Sequence, residues 1–261
     1  MLASQRQERI LAAVRADGAA RVADLVESLD VSDMTVRRDI AELARAGLVR
    51  RVHGGAVAPD ALGRPTDEPG FDAKRSWAGP EKAAIARAAL ATVEPGQAIA
   101  LSAGTTTFLL AELLAGAGIP ALTVVTNGLR IADALHGAAG VEVILTGGAR
   151  TPSDALVGPV ADATLASLRV DRTFLGVHGL DASGLTTPNL AEAATDRALM
   201  ACAAATTVLA DHTKWGVVGL ARIAPLDDID TLLTDDALPA DARRHLTGAA
   251  LRLVTIPGAA P

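Results

Sequence analysis

The sequence predicts two domains in series: a small all-α N-terminal domain ending in a short hairpin, then a larger α/β domain built on a mostly parallel sheet. Three observations predict this. The first 57 residues carry apolar side chains at the i, i+3, i+4, i+7 spacing of short amphipathic helices. Residues 58–80 hold four prolines among several glycines and read as a linker, with one helical turn around Phe71–Trp77. From Glu81 onward, short near-continuous apolar runs alternate with helical segments, the pattern of parallel strands covered on both faces. At 261 residues the chain is long enough for two such domains, at 1–57 and 81–261.

Charge is divided unevenly between them. The net charge is −6, yet residues 1–57 hold nine arginines against eight carboxylates, while the remainder holds 15 basic against 22 acidic residues. From Met34 to His53 the ratio is five to two. A basic stripe on an acidic chain fits a small DNA-contacting head on a body that does not touch DNA. With 2% aromatic residues and no Tyr, the core must be Ala, Leu and Val. The single cysteine, Cys202, excludes a disulfide framework and a cysteine-based zinc site, and in its Ala-rich surroundings reads as a buried, inert thiol. There is no signal-peptide-like apolar core and no uninterrupted apolar stretch of 18 residues, so a cytoplasmic protein without membrane contact is expected.

In the head, residues 4–16 form a first helix with Ile10, Leu11 and Val14 inward, stopped by Asp17-Gly18. Arg21–Leu29 is a second, with Val22, Leu25, Val26 and Leu29 on one face. The turn Asp30–Asp33 leads into a third, whose stripe is Val36, Ile40 and Leu43. Ser32 stands at its N-cap, Asp33 complements its positive end, and Gly47 closes it. At about 100° per residue, Arg38 and Arg45 point away from the stripe and Arg37 lies on its flank. Leu48–Val52 and Ala56–Val57 flank His53-Gly54-Gly55 and read as a hairpin wing. The result is a winged helix-turn-helix, whose last helix can lie in a DNA major groove. On these residues alone, a helical domain that contacts protein, with Arg37 and Arg38 merely solvated, is the alternative.

The "TVRRD" core (Thr35–Asp39) and the following "LVRRVHGGA" (Leu48–Ala56), with Arg6, Ile10, Val14, Ser32 and Ile40 at matching spacing, resemble the signature of DeoR-type transcriptional regulators. The resemblance implies double-stranded operator DNA as partner. Ser32 and Thr35 would meet phosphate near the helix start. Arg38, with Arg37 beside it, would reach base edges, and Arg50, Arg51 and His53 would touch backbone or minor groove. Asp39 is expected to pair with an arginine, because a carboxylate facing phosphate is repulsive.

In the second domain, strands are expected at Ala98–Leu101, Leu122–Thr126, Val141–Thr146, Arg172–Val177, Thr207–Ala210, Thr231–Thr234 and Leu251–Thr255. Helices are expected at Glu81–Thr92, Phe108–Leu114, Leu129–Leu135, Val160–Leu168, Ala191–Ala205 and Ala240–Thr247. In such Rossmann-like sheets ligands sit at the carboxyl ends of the strands, where the polar and Gly-rich segments of this chain fall. Ser102-Ala103-Gly104-Thr105-Thr106-Thr107 has the form of an anion loop at a helix start, although an ordinary N-cap turn reads equally well. It lacks a Walker lysine, and no GxGxxG occurs, so no nucleotide cofactor is indicated. Arg150 follows the Gly147-Gly148 turn. Lys214 supplies a cation past a strand, while Glu192 and Asp181 supply carboxylates that could hold hydroxyls, anchor a helix start or set a turn.

The segments GPEKAAIA (79–86), SAGTTT, VVTNG, LTGG, LVGP, FLGVHGLD (174–181), GLTTPN and LADHTKWG (209–216) resemble the sensor domain of the same family, similar in fold to ribose-5-phosphate isomerase and related isomerase and CoA-transferase folds. By that resemblance Ser102, Gly104 and Thr105–Thr107 hold a phosphate. Thr126, Asn127, Gly147, Asp181, Glu192 and Lys214 line the rest. The function so implied is a DNA-binding repressor of a carbohydrate catabolic operon, a homo-oligomer (dimer or tetramer) controlled by a phosphorylated sugar. The alternative is a sugar-phosphate isomerase carrying a DNA-binding head, with Glu192 and Lys214 as acid–base pair. His178 stands where the isomerases carry an Asp, which counts against it. The loop also lacks the Asp often found before Ser-Gly in family members.

Overall fold

The computed structural model describes residues 3–17, 19–45, 48–52, 54–57, 70–75 and 77–257. The chain divides into two compact units, Met1–Asp67 and Glu68–Pro261.

The first unit comprises α1 (Ala3–Asp17), β1 (Ala19–Arg21), α2 (Val22–Leu29), α3 (Asp33–Arg45), β2 (Arg50–Val52) and β3 (Gly55–Val57). Asp30, at the end of α2, takes a left-handed conformation and turns the chain toward α3. The Ser32 carbonyl accepts from the Thr35 and Val36 amides, and its Oγ accepts from Thr35 N at 3.3 Å, so Ser32 caps α3. At the far end Leu48 N–H donates to Leu43 O. Ile10, Val14, Val22, Leu25, Leu29, Val36, Ile40 and Leu43 close one core with Val49 and Ala56. The predicted hairpin is present, but the helical unit carries a three-stranded antiparallel sheet, order β1-β3-β2. Ala19-Ala20-Arg21 has no strand propensity of its own; pairing with β3 imposes it. Gly55 permits this pairing, because a Cβ there would run into the Ala20 carbonyl oxygen. Gly18, Gly47 and His53 lie outside the described residues, as do the side chains of Arg50 and Arg51.

The second unit opens with α4 (Phe71–Arg75) and α5 (Gly79–Leu90), then β4 (Ala98–Leu101), α6 (Thr105–Ala117), β5 (Leu122–Thr126), α7 (Leu129–Leu135) and β6 (Val141–Leu145). A small hairpin, β7 (Ala149–Arg150) and β8 (Leu156–Val157), leads to α8 (Pro159–Ala166) and β9 (Arg172–Gly176). Then come β10 (Gly179–Asp181), β11 (Gly184–Thr187), α9 (Leu190–Ala201), β12 (Thr206–Leu209), β13 (Ala221–Ala224), β14 (Thr231–Asp235), α10 (Ala240–Gly248) and β15 (Arg252–Ile256). Seven strands form one wholly parallel sheet, order β15-β14-β12-β9-β4-β5-β6.

Strand residues alternate between two cores. Ile99, Leu101, Val124, Phe174, Leu209 and Leu233 pack with α5, α6 and α7. Ala100, Val125, Leu175, Val208 and Leu232 pack on the other side with Leu165, Leu199 and Leu246. Burial on both faces is why the strands read as unbroken apolar runs. The antiparallel trio β10-β11-β13 adds Leu180, Leu185 and Ile223 to the second core. Cys202 is buried there, its Sγ 3.3 Å from Leu199 O. Two ends differ from expectation. α6 begins at Thr105, so the threonines are its first turn. α9 stops at Ala201, because Ala204 and Ala205 turn back to bond Val170 and Thr173 as β12 joins β9. Among the described residues no helix is long and apolar enough to cross a membrane.

Candidate functional site

α3 buries Val36, Asp39, Ile40 and Leu43. Asp39 accepts two hydrogen bonds from the Arg6 guanidinium, at 2.7 and 3.1 Å, tying α1 to α3 from inside. This is the arginine partner expected for it. Arg37 turns back along the helix, its Nε 2.5 Å and its second amine 3.2 Å from the Asp33 carboxylate. Arg38 meets only Glu42, at 3.5 Å, and its side chain is 82% exposed. Glu42 is itself held by Gln7 at 2.8 Å. Ser32 Oγ and Thr35 Oγ1 lie 2.8 Å apart on the surface at the start of α3, beside its free amides. The sequence placed both arginines on α3, but it did not reveal that Arg37 is held closely by Asp33 while Arg38 meets Glu42 only at 3.5 Å.

In the second unit, the order of the parallel sheet reverses between β4 and β9. After β4 the chain steps outward through β5 and β6, then returns to β9 on the other side. α6 leaves β4 on one face and α9 leads to β12 on the other, and in sheets of this kind the carboxyl ends beside such a reversal are where ligands sit. Ser102–Thr107 occupies this place. Ser102 N–H donates to Phe174 O at 3.1 Å, and Gly176 N–H donates to Ser102 Oγ at 2.9 Å. Asn127 Oδ1 accepts from Ala103 N at 2.8 Å while its Nδ2 donates to Leu156 O. Thr126 Oγ1 donates to Leu101 O and accepts from Gly128 N. Thr107 Oγ1 donates to Gly104 O. Ser102, Thr107, Thr126 and Asn127 are thus buried braces of the loop. Thr105 and Thr106 differ: their hydroxyls bond no other described residue, and no side chain caps α6 at Gly104. Both threonines are themselves largely buried, in the first turn of a helix whose leading amides point out of its N-terminus.

The other predicted residues divide as follows. Gly147, at φ +72, turns the chain after β6, two strands from β4. Asp181 Oδ1 accepts from Ser183 N and Oγ at 2.7 and 2.6 Å, which sets the β10–β11 turn. Glu192, in the first turn of α9, accepts from Thr151 Oγ1 at 2.8 Å, from Ser153 Oγ, and from Thr187 Oγ1 at 3.3 Å. Arg150 and Arg130 both bind Asp154, holding its carboxyl below the usual range. Lys214 is half-buried in a short turn begun by Asp211, whose Oδ1 accepts from Thr213 N and Oγ1.

One residue absent from the predicted site is Lys82, in the first turn of α5. It is 1% exposed, and its Nζ makes one hydrogen bond, to Lys74 O at 2.5 Å. Burial, with Lys214 and Lys74 nearby, pushes this amine down to about 7 against the pull of Asp211 and Glu81. Asp211 Oδ2, Glu81 Oε2 and Trp77 Nε1 are buried and have no hydrogen-bond partner among the described residues. His212 Nδ1 lies 2.7 Å from Asp235 Oδ2, and the pair holds the imidazole's affinity for its proton above the ordinary value. Lys82 could have been suspected from the sequence, because it shares a stripe with Ile85, Ala86 and Ala89.

A capped helix with outward arginines, joined to a parallel α/β body whose strand order reverses beside β4, fits a DNA-binding regulator with a sensing domain. The comparisons agree. Residues 6–61 match the DeoR-like helix-turn-helix domain, and residues 78–236 match the DeoR C terminal sensor domain. The chain belongs to the DeoR family of transcriptional regulators. It is similar to the uncharacterized HTH-type transcriptional regulator YgbI of Escherichia coli K12, at 36% identity over 97% of this chain and 98% of that one. It is also similar to the HTH-type transcriptional regulator GlpR of Haloferax volcanii, at 37% over 97% and 98%. The glycerol-3-phosphate regulon repressor of Haemophilus influenzae is 29% identical over 90% and 91%. Ribose 5-phosphate isomerase A from Methanocaldococcus jannaschii has a TM-score of 0.38 at 16% identity, over 51% of this chain and 53% of that one. A likeness that distant assigns no activity.

Proposed function

We propose that this regulator is a repressor of a carbohydrate catabolic operon, released or recruited by a phosphorylated sugar bound at the carboxyl edge of the parallel sheet. The observation that carries it is a pair of anion-seeking features on the carboxyl side of the same sheet. These are the uncapped first turn of α6 with Thr105 and Thr106, and the buried Lys82 amine with Lys214 in reach. A buried ammonium with one acceptor is costly until an anion joins it, and free helix amides favour the same charge. Ser102, Gly104, Thr107, Thr126 and Asn127 shape this cradle. Glu192, and more remotely Gly147 and Asp181, border the carboxyl edge where a sugar would extend.

On the DNA side, Arg38 reads base edges. Ser32, Thr35 and the Asp33-tethered Arg37 meet phosphate, and Arg50, Arg51 and His53 serve the hairpin as a wing. The head is residues 1–57, joined through 58–80 to an effector body from 81 onward, in a dimer or tetramer matched to a repeated operator. No catalysis is assigned. Glu192, which an isomerase would need as acid or base, is saturated by hydroxyl donors.

A thermal-shift screen with pentose and hexose phosphates tests the effector site. One compound should raise the melting temperature and change DNA affinity roughly 5- to 150-fold. Lys214→Ala should bind DNA normally and lose that response. A normal response in this variant sinks the placement, and turnover of the compound would favour the enzyme reading.

A further inference from the structure

We propose that Met34 reads the methyl group of a thymine beside the base contacted by Arg38, so that it is a sequence-determining residue of the DNA surface. The inference rests on α3 entering the major groove.

The side chain of Met34 is 76% exposed, the most open large apolar residue described in the molecule. It stands in the first turn of α3, and the N-terminal residues of such a helix are those that meet base edges. Around the helix, Met34, Arg38, Ala41 and Arg45 recur at i, i+4, i+7 and i+11, which makes one stripe at 3.6 residues per turn. This stripe lies opposite the buried Val36, Ile40 and Leu43. Arg37 is off the stripe and bound to Asp33, so it does not compete for the same place. The outward face therefore offers one thioether, then one cation a turn later, then a small residue that lets the helix approach closely.

A thioether has no charge and accepts hydrogen bonds only weakly, so neither phosphate nor the polar base edges recruit it. The thymine methyl is the apolar group on the floor of the major groove. Methionine is long and unbranched enough to seat on it from several backbone positions. Four residues of helix rise about 6 Å, close to two base steps at about 3.4 Å each. The thymine should therefore lie within two base pairs of the one read by Arg38.

The test uses the full chain. Duplexes enriched from a random-sequence library supply the binding site, and each thymine in it is replaced singly by deoxyuridine, which deletes only the 5-methyl group. One replacement should weaken the wild-type protein about fourfold, the worth of one buried methyl. It should lie within two base pairs of the position at which Arg38→Ala relaxes base preference. Met34→Ala should bind the thymine duplex about fourfold more weakly and not distinguish it from the deoxyuridine duplex. Met34→Leu should still distinguish them. If the wild-type protein is indifferent to every replacement, or Met34→Ala discriminates as well as wild type, the proposal is overturned. If no sequence is enriched, groove reading by α3 fails, and the proposal falls with it.

Discussion

Lys82 carries three N–H donors into a place where the described residues supply one hydrogen-bonded carbonyl. Its amine would ionise near 10.5 in the unfolded chain and does so at about 7 in the fold. Between those values the unfolded chain binds more protons than the folded one, so the stability of the effector-free protein should rise with pH across that window. Below about 7 both forms are charged and the rise stops. Urea unfolding at pH 7 and pH 9 measures this, and Lys82→Met should flatten the rise. Equal slopes in both proteins would mean that the amine is not desolvated. An anionic effector should shift the balance the other way, favouring the charged amine and binding more weakly as pH climbs past 7. The sequence contained the stripe that buries Lys82, but a lysine in a first helical turn ordinarily reaches water along its stem. Only the assembled sheet edge closes that route. Ser102–Thr107 stood out in the sequence as a glycine and hydroxyl cluster between a strand and a helix, but by itself it read equally well as an N-cap turn. That the Ser102 hydroxyl braces the loop depended on Gly176, 74 residues away, and the Ala103 amide is held by Asn127, 24 residues away.

Among the elements, α4 does more than its five residues suggest. Phe71 packs edge-on against Phe108 with ring centroids 5.4 Å apart, and the Arg130 guanidinium lies 4.4 Å from its ring. Arg75 covers the other aromatic at 5.3 Å, and the Lys74 carbonyl receives Lys82. The short helix is thereby pinned to the first turns of α5, α6 and α7. Phe71→Ala should cost the body about 3 kcal/mol in denaturant unfolding, as loss of a buried aromatic does. A loss below about 0.5 kcal/mol, the level of an ordinary surface change, would show that α4 is not docked as described. Long apolar strands and helices were readable from their periods. The trio β10-β11-β13 was not, because strands of three or four residues hold too few alternations to rise above the background. Likewise β1 exists only through its partner.

At the scale of the molecule, the division of labour follows the division of charge: a near-neutral unit with an arginine-bearing helix, and an acidic unit that gathers lysines at one sheet edge. The order of parallel strands, with its reversal beside β4, could not be read from periodicity, which specifies strands but not neighbours. It nonetheless decides which strand ends flank the reversal, the place where sheets of this kind bind ligands.

Cys202 gives this two-part chain a built-in clock. It is the single cysteine, buried in the core of the body, and burial raises its thiol above the ordinary value. A thiol reagent can reach it only when the body opens, so the labelling rate counts those openings and ignores every fluctuation of the cysteine-free head. A sugar phosphate present at 100 times its dissociation constant should slow the clock about 100-fold. A compound that changes DNA affinity while leaving the rate untouched would have to act outside the body.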